Sequence, residues 1–360
     1  MATPTRPAAR TGRGAVSNPD GRFERTRAEV VDDGWGNLEE ELPPLETLVR
    51  PDPARSIISR NKSPDIAFDQ SINPYRGCEH GCIYCYARPS HGYLNLSAGL
   101  DFETRLFYKQ DAAKLLEEEL AAANYRCSPI TIGANTDPYQ PIERDYRVTR
   151  SILEVLARYR HPFSIITKSS MIERDIDLLA PLARDGLVLA LVSVTTLNIE
   201  LKRTLEPRTA APSARLRAIR SLSEAGVPVG VMVAPVIPVL TDSEVEKILE
   251  AAAAAGARYA GYVLLRLPHE VKDLFREWLT THEPLKAQHV MSRMQAMRGG
   301  VDYDSAWGMR QKGQGEYAQL LSMRFQAACR RYGLRTGEPF IHNTRLFQRP
   351  TLGPHQFELI

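Results

Sequence analysis

From about residue 71 the chain alternates between two hydrophobic rhythms. Short runs at 71–76, 129–134, 163–168, 187–194, 229–235 and 260–265 predict strands. The last five are rich in Val, Ile, Leu, Ala or Tyr and mostly stop at polar, Gly or Pro residues. Between them apolar residues recur at helical spacing. Residues 111–124 carry Leu115, Leu116 and Leu120 on one stripe, and residues 148–159 carry Ile152, Leu153, Val155 and Leu156. Helices are also predicted over 172–182, 213–224 and 242–255, the last with a Thr-Asp-Ser start suited to an N-cap. Strand and helix in strict alternation mean a parallel sheet covered by helices. Six units are too few to close an eight-stranded barrel, so the expected fold is α/β, an open six-stranded partial barrel.

The flanks follow other patterns. Residues 1–28 are rich in Arg, Pro, Gly, Ala and Thr, and are expected to be a disordered basic arm. Residues 31–46 are acidic and hold Pro43-Pro44, as in a linker or wrapping segment. Residues 268–360 predict helices over 269–282, 284–298 and 316–332, then irregular chain. The organisation is therefore an arm over 1–50, the partial barrel over 60–268, and a helical extension over 269–360.

Hydrophobic residues at 43% and charged residues at 25% suit a globular protein of 360 residues with a large core. No apolar run is long enough to span a bilayer, and no apolar leader segment is visible, so no membrane partner is expected. Five cysteines form no disulfide framework, which points to a reducing cytoplasm. The net charge of +3 is unevenly divided, because residues 284–350 alone carry +7. There, basic residues interleave with Tyr303, Trp307, Tyr317, Phe325 and Tyr332, a pattern that fits a nucleic-acid face. Solvated helix faces and ion pairs to the acidic 31–46 segment would explain the same charges. His269, His282, His289 and His342 are dispersed and suggest no metal site.

The densest chemistry lies after the first predicted strand. Cys78, Cys82 and Cys85 are spaced C-x3-C-x2-C within eight residues. Thiolates packed this closely ligate metal in most intracellular proteins. Zinc would need a fourth ligand, such as His80 or His91. Three cysteines are one short of a full set for an iron–sulfur cube, which leaves one iron open to a substrate. In barrels of this kind chemistry sits at the C-terminal strand ends. The runs Ala134-Asn135-Thr136-Asp137, Thr167-Lys168-Ser169-Ser170, Ser193-Val194-Thr195-Thr196 and Val233-Ala234-Pro235 all fall on that rim.

The spacing, with Tyr84 just before the third cysteine, resembles the signature of the radical S-adenosylmethionine (SAM) enzymes. Residues 73–240 resemble the spore photoproduct lyase branch of that superfamily, which repairs a crosslinked thymine pair in DNA by hydrogen abstraction. The shared features are the cysteine motif with Tyr84 and Tyr86, Thr136-Asp137, Thr167-Lys168, Ser193, Glu206-Pro207 and Val233-Ala234-Pro235. Residues 73–88 are more similar still to a group of photolyase-like relatives. The resemblance implies a [4Fe–4S] cluster on Cys78, Cys82 and Cys85, with SAM chelated at its open iron. It implies reductive SAM cleavage to a 5′-deoxyadenosyl radical, with an external flavodoxin- or ferredoxin-type electron donor. Lys168 would pair with the SAM carboxylate, Thr136 (beside Asp137) and Ser193 would hydrogen-bond its methionine or ribose part, and Ala234 would meet the adenine. Tyr84 would pack beside the cluster and Tyr86 near the radical path. One departure matters. The lyases carry a hydrogen-donating cysteine at the end of strand two, where this chain has Ala134, so the lyase reaction itself does not carry over. Cys127 lies before that strand and Cys329 falls in a predicted helix. Two other functions stay open: a radical SAM enzyme acting on a peptide or small molecule, and a non-catalytic iron–sulfur or zinc module that binds nucleic acid.

Overall fold

The computed structural model describes residues 9–23 and 45–351. Strands β1 (Leu48–Pro51), β2 (Ile58–Arg60), β3 (Gln70–Ile72) and β4 (Tyr75–Arg76) come first, followed by helix α1 (Asp101–Thr104) and strand β5 (Arg105–Tyr108). The repeat then runs α2 (Ala112–Ala121), β6 (Ile130–Ile132), α3 (Glu143–Tyr146), α4 (Val148–Arg158) and β7 (Phe163–Thr167). It continues through α5 (Ile176–Arg184), β8 (Val188–Ser193), α6 (Ile199–Leu205), α7 (Pro212–Glu224), β9 (Val229–Val236), α8 (Val245–Ala254) and β10 (Tyr259–Leu264). Helices α9 (Val271–His282), α10 (Ala287–Ala296) and α11 (Gly315–Tyr332) form the extension.

The main sheet has the order β10-β9-β8-β7-β6-β3-β2. Its six strands from β3 to β10 are parallel, and only β2 runs antiparallel, on the β3 edge. This is the six-stranded open barrel that the hydrophobic pattern predicts. A small second sheet, β1-β5-β4, stands beside it. Register follows burial. Ile72, Ile132, Ile165, Ala190 and Val229 lie opposite one another across five strands, and all are buried. Strands covered on both faces read as near-continuous apolar runs, as here. The predicted stripe on α4 is the core face, with Ile152, Leu153, Val155 and Leu156 buried.

Two local expectations are corrected. The predicted strand 71–76 is broken at Pro74, which has no N–H for a ladder. Strand β3 stays in the main sheet, while β4 turns away to pair with β5. Thr241 does not cap α8 either. Its hydroxyl accepts the N–H of Ile237 at 2.8 Å, and the helix opens through a tight turn at Asp242–Glu244.

The chain after α11 runs beneath the barrel. Gly333 takes a left-handed conformation and ends the helix. Arg335 then bridges Tyr259, Asn343 N–H reaches Gly186 O at 3.0 Å, and Gln348 N–H reaches Tyr159 O at 2.9 Å. These partners precede or begin β10, β8 and β7, so the tail crosses the N-terminal strand ends. His161 is buried there between the Tyr125 hydroxyl (2.7 Å) and the Pro162 carbonyl (2.9 Å). Burial lowers its pKa to about 4. The unfolded chain therefore binds a proton in the window from about pH 6.5 down to about 4, where the folded chain does not. Stability present above pH 6.5 is lost on acidification through that window, by about 3 kcal/mol at its acid end. Urea titrations at pH 7 and pH 4.5 should differ less in a His161→Gln variant than in the parent.

Candidate active site

The cysteine loop leaves β4 and crosses the C-terminal ends of the main strands. Gly77 and Gly81 have positive φ angles of 74° and 67°, which let the chain coil tightly on either side of Cys78. Successive turns are closed by Gly81 N–H to Cys78 O, Cys85 N–H to Cys82 O, and Arg88 N–H to Cys85 O. Cys78 N–H reaches Phe102 O at 2.9 Å, and Ile83 N–H reaches Leu205 O at 3.2 Å. Gln140 clamps the loop from below, accepting Glu79 N–H at 2.8 Å and donating to Gly77 O at 3.2 Å.

Arg88 fixes the other side. Its Nε donates to Cys82 O, Nη1 to Ala98 O and Gly99 O, and Nη2 to Gly81 O and the Glu103 carboxylate. A guanidinium has five N–H donors, and all five are used in a fully buried site. Glu103 in turn accepts the backbone N–H groups of Gly14 at 2.9 Å and Ala15 at 2.8 Å. Arg13 adds bonds to Glu103 O, Leu45 O and Thr47 Oγ1. The arm expected to be disordered is therefore packed over its residues 13–16, which are buried against the cysteine loop. Buried carboxylate and backbone partners hold it, and composition does not reveal them. Of the acidic 31–46 stretch, 31–44 lies outside the described residues.

Cys78 and Cys82 are buried and Cys85 is half-buried. Burial raises all three thiol pKa values, that of Cys82 to about 12, and the thiols' proximity to one another adds to the effect in Cys78 and Cys82. Thiols held protonated in this way become ligands to a group that brings positive charge to them. Among the described residues, no three Cys, His, Asp or Glu side chains close on one point as a single ion would need. His80 turns Nδ1 to Asp137 at 3.3 Å, and His91 turns Nε2 to Arg105 O at 2.9 Å. Three soft donors on one coiled loop fit a multi-iron cluster better than a zinc ion.

Around the loop the strand ends converge. Tyr84 is buried and donates its hydroxyl to Glu206, which also accepts from Thr195 Oγ1 at 2.7 Å and from Arg215. Burial alone would raise the Glu206 pKa, but Arg215 and Lys168 hold it down at about 2. The Lys168 ammonium lies 5.8 Å from the Tyr84 ring centre. Arg215 donates to Ser193 O at 3.0 Å and Ala210 O at 2.9 Å, and Thr195 Oγ1, whose proton goes to Glu206, lies 3.1 Å from Ala234 O. Lys168 thus faces Tyr84 directly, while Ser193 and Ala234 join the Glu206 network through their carbonyls, by way of Arg215 and Thr195. Two other predicted residues act as scaffold. Thr136 donates its hydroxyl to Tyr75 O at 2.8 Å. Asp137 is enclosed by Tyr139 N–H, Thr167 Oγ1, Lys168 N–H and His80, so it offers no free oxygen to a cofactor. Tyr86 stands at the mouth, 42% exposed, with its hydroxyl on Ala134 O and the Arg266 guanidinium 5.0 Å from its ring centre. Cys127 Sγ lies 3.8 Å from His161 at the far end of the barrel, and Cys329 is buried in α11.

The family model of the radical SAM superfamily matches residues 72–252. The chain belongs to the radical SAM superfamily. It is an enzyme of that family, whose cofactors are a [4Fe–4S] cluster and SAM and whose members cleave SAM to a radical. An uncharacterised protein of Mycobacterium tuberculosis is 39% identical over 229 residues, covering 62% of this chain and 67% of that protein. An uncharacterised protein of Methanocaldococcus jannaschii is 31% identical over 175 residues, covering 48% and 62%. Among solved structures, a spore photoproduct lyase variant with bound AdoMet and dinucleoside spore photoproduct is similar with a TM-score of 0.52. It shares 14% identity with this chain over 80% of each, a likeness of fold. No described helix is long and apolar enough to cross a membrane.

The basic C-terminal third does not form one face. Arg298 is buried on Leu265 O, Arg310 pairs with Asp65 at 2.6 Å, and Arg324 pairs with Glu246 at 2.7 Å. Arg335 and Arg349 lie under the barrel, the latter on Tyr125 O at 2.9 Å. Residues near 310 and buried Arg298 meet the C-terminal end of β10, through the bonds of Leu264 N–H to Gln311 O and of Arg298 to Leu265 O.

Proposed function

We propose that this radical SAM enzyme abstracts a hydrogen atom from a nucleic-acid substrate presented as unpaired or extruded bases at the barrel mouth. Cys78, Cys82 and Cys85 hold the cluster, which when bound supplies the electron that opens the SAM sulfonium bond. Lys168 meets the SAM carboxylate as a point charge. Ser193 and Ala234 would line the remainder of SAM, and Tyr84, locked by Glu206, would pack beside the cluster and the adenine. A flavodoxin- or ferredoxin-type protein in the cytoplasm supplies the electron.

The observation that carries this reading is a pair of exposed rings, each flanked by a guanidinium. Tyr86 lies by Arg266, and Trp307, 56% exposed, lies 5.0 Å from Arg310. Tyr303 joins them, its hydroxyl 3.4 Å from Arg266. Open ring faces stack bases, and Arg266, with no carboxylate partner among the described residues, meets a phosphate, while Arg310 is held by Asp65 beside the Trp307 ring. A base buried in a duplex must leave the stack before a barrel can act on it.

The test is anaerobic turnover with SAM and dithionite, with and without lesion-bearing oligonucleotides deuterated in the base. 5′-Deoxyadenosine should rise above the substrate-free rate and carry deuterium. Trp307→Ala should weaken single-strand binding by about 1–3 kcal/mol, the value of one stacked base. Equal 5′-deoxyadenosine with and without oligonucleotide rejects the reading and favours a peptide or small-molecule substrate.

A further inference from the structure

On the outer side of the cysteine loop lies an open cavity of about 480 Å³, lined by His80, Arg144, Arg147, Ser169, Ser170, Arg174 and Arg208 among others. Its volume is that of a small-ligand site. Four arginines line it and no carboxylate does. Two of the four are already paired. Arg174 binds Glu143 and Asp175, and Arg208 binds Glu79 at 2.9 Å. Arg144 and Arg147 are exposed, and neither side chain has an ion pair or hydrogen bond among the described residues. Arg147 sits between α3 and α4 with φ at 50°, a left-handed position that an unbranched Arg has no intrinsic reason to occupy.

The loop at Lys168–Ser170 has two sides. The Lys168 ammonium points inward to Tyr84, while Ser169 and Ser170 line the cavity. Ser169 Oγ accepts Met171 N–H at 3.2 Å and keeps its own proton to donate. Guanidinium forks together with hydroxyl donors match an oxyanion with three or four oxygens around one centre. A carboxylate has two oxygens in one plane and leaves part of this donor set unused. From this geometry we infer that the cavity is a binding site for a phosphate group, separate from the SAM site. The group belongs either to a nucleic-acid backbone or to a free phosphorylated small molecule. Arg208 also ties the cavity to the cluster loop, since its N–H bonds His80 O at 3.2 Å.

The experiment uses the full chain with its cluster loaded. Calorimetric titrations are run with inorganic phosphate, pyrophosphate and single-stranded oligothymidylate, with acetate as the competing anion. They are repeated on a double variant, Arg144→Gln with Arg147→Asn, Asn being tolerant of left-handed backbone. Phosphate-bearing ligands should bind the parent and lose about ten- to a hundredfold in the variant, the range for charge-assisted hydrogen bonds. Acetate should compete poorly. A second variant, Arg144→Lys with Arg147→Lys, keeps the charge without the fork and should fall between the two. Binding by phosphate or pyrophosphate alone assigns a small molecule, whereas oligonucleotide binding displaced by pyrophosphate assigns a backbone. Unchanged affinity in the double variant, or no phosphate binding to the parent, overturns the site. Oligonucleotide binding that survives in the double variant while phosphate and pyrophosphate binding is lost places the oligonucleotide at the mouth and assigns this site to a small phosphorylated molecule.

Discussion

Cys82→Ala loses the cluster. Iron should fall from about four per chain to near none, and SAM-dependent 5′-deoxyadenosine should disappear. Cys78→Ala and Cys85→Ala should behave alike. All three thiols lie on one coiled loop, so no other cysteine reaches the position. Cys127 is beside His161 at the opposite strand ends, and Cys329 is inside α11. Cys127→Ala and Cys329→Ala should keep full iron. The fold should tolerate Cys82→Ala, because removing one small thiol leaves the Arg88 bond to the residue 82 carbonyl in place. The measurements are iron and sulfide per chain beside far-ultraviolet circular dichroism. Full iron in Cys82→Ala would remove that residue from the ligand set.

The barrel was legible because its signal is redundant. Strands β6, β8 and β9 are mainly apolar runs buried on both faces, β7 alternates buried with half-buried positions, and α4 shows its buried stripe at helical spacing. The break inside 71–76 is written in Pro74, but the choice of β5 as partner for β4 is a tertiary contact that no local pattern contains. Within the site the cysteine spacing is a local signature, and so are the strand-end residues Lys168, Ser193 and Ala234. What their side chains face is another matter. Asp137 and Thr136 lie on the correct rim, yet their oxygens are committed to the chain's own backbone and hydroxyls. Arg88, Glu103 and Arg215 left no mark, although they hold the loop and the strand ends. Arg88 lies three residues past Cys85, and that nearness was the one available hint.

Charge misled for a related reason. A basic count treats all arginines alike, but burial and pairing sort them. Arg298, Arg310 and Arg324 satisfy carbonyls or carboxylates within the protein. Arg144 and Arg147, in a stretch of unremarkable composition between β6 and α4, are exposed on the cavity and hold nothing among the described residues. Local density of charge in sequence and availability of charge in space are separate quantities.

Gly14→Ala should release the cysteine loop. The N-terminal strand of chain at 13–16 lies directly on it, and a Cβ on Gly14 would sit 1.8 Å from the carbonyl oxygen of Gly81. No rotamer relieves that overlap, because both partners are backbone. The facing side is also close, since a Cβ on Gly81 would lie 2.7 Å from Glu103 Oε2. The segment must therefore lift, and the Gly14 and Ala15 N–H bonds to Glu103 go with it. Hydrogen bonds to a charged group contribute about 1.5–3 kcal/mol each, and forced overpacking costs about 1–3 kcal/mol. The barrel core is remote from this contact and should stay folded. Arg88 keeps its backbone carbonyls but loses the fixed carboxylate that orients it. The expected outcome is faster amide exchange over residues 77–88 and at least a severalfold loss of bound iron, with little change in circular dichroism. Gly12→Asn is the control, because Gly12 has φ at 77° and nothing near its missing Cβ. That variant should retain its iron. Normal exchange and full iron in Gly14→Ala would show that the arm merely rests on the loop, and the role of Glu103 in holding it would have to be assigned to Arg88 alone.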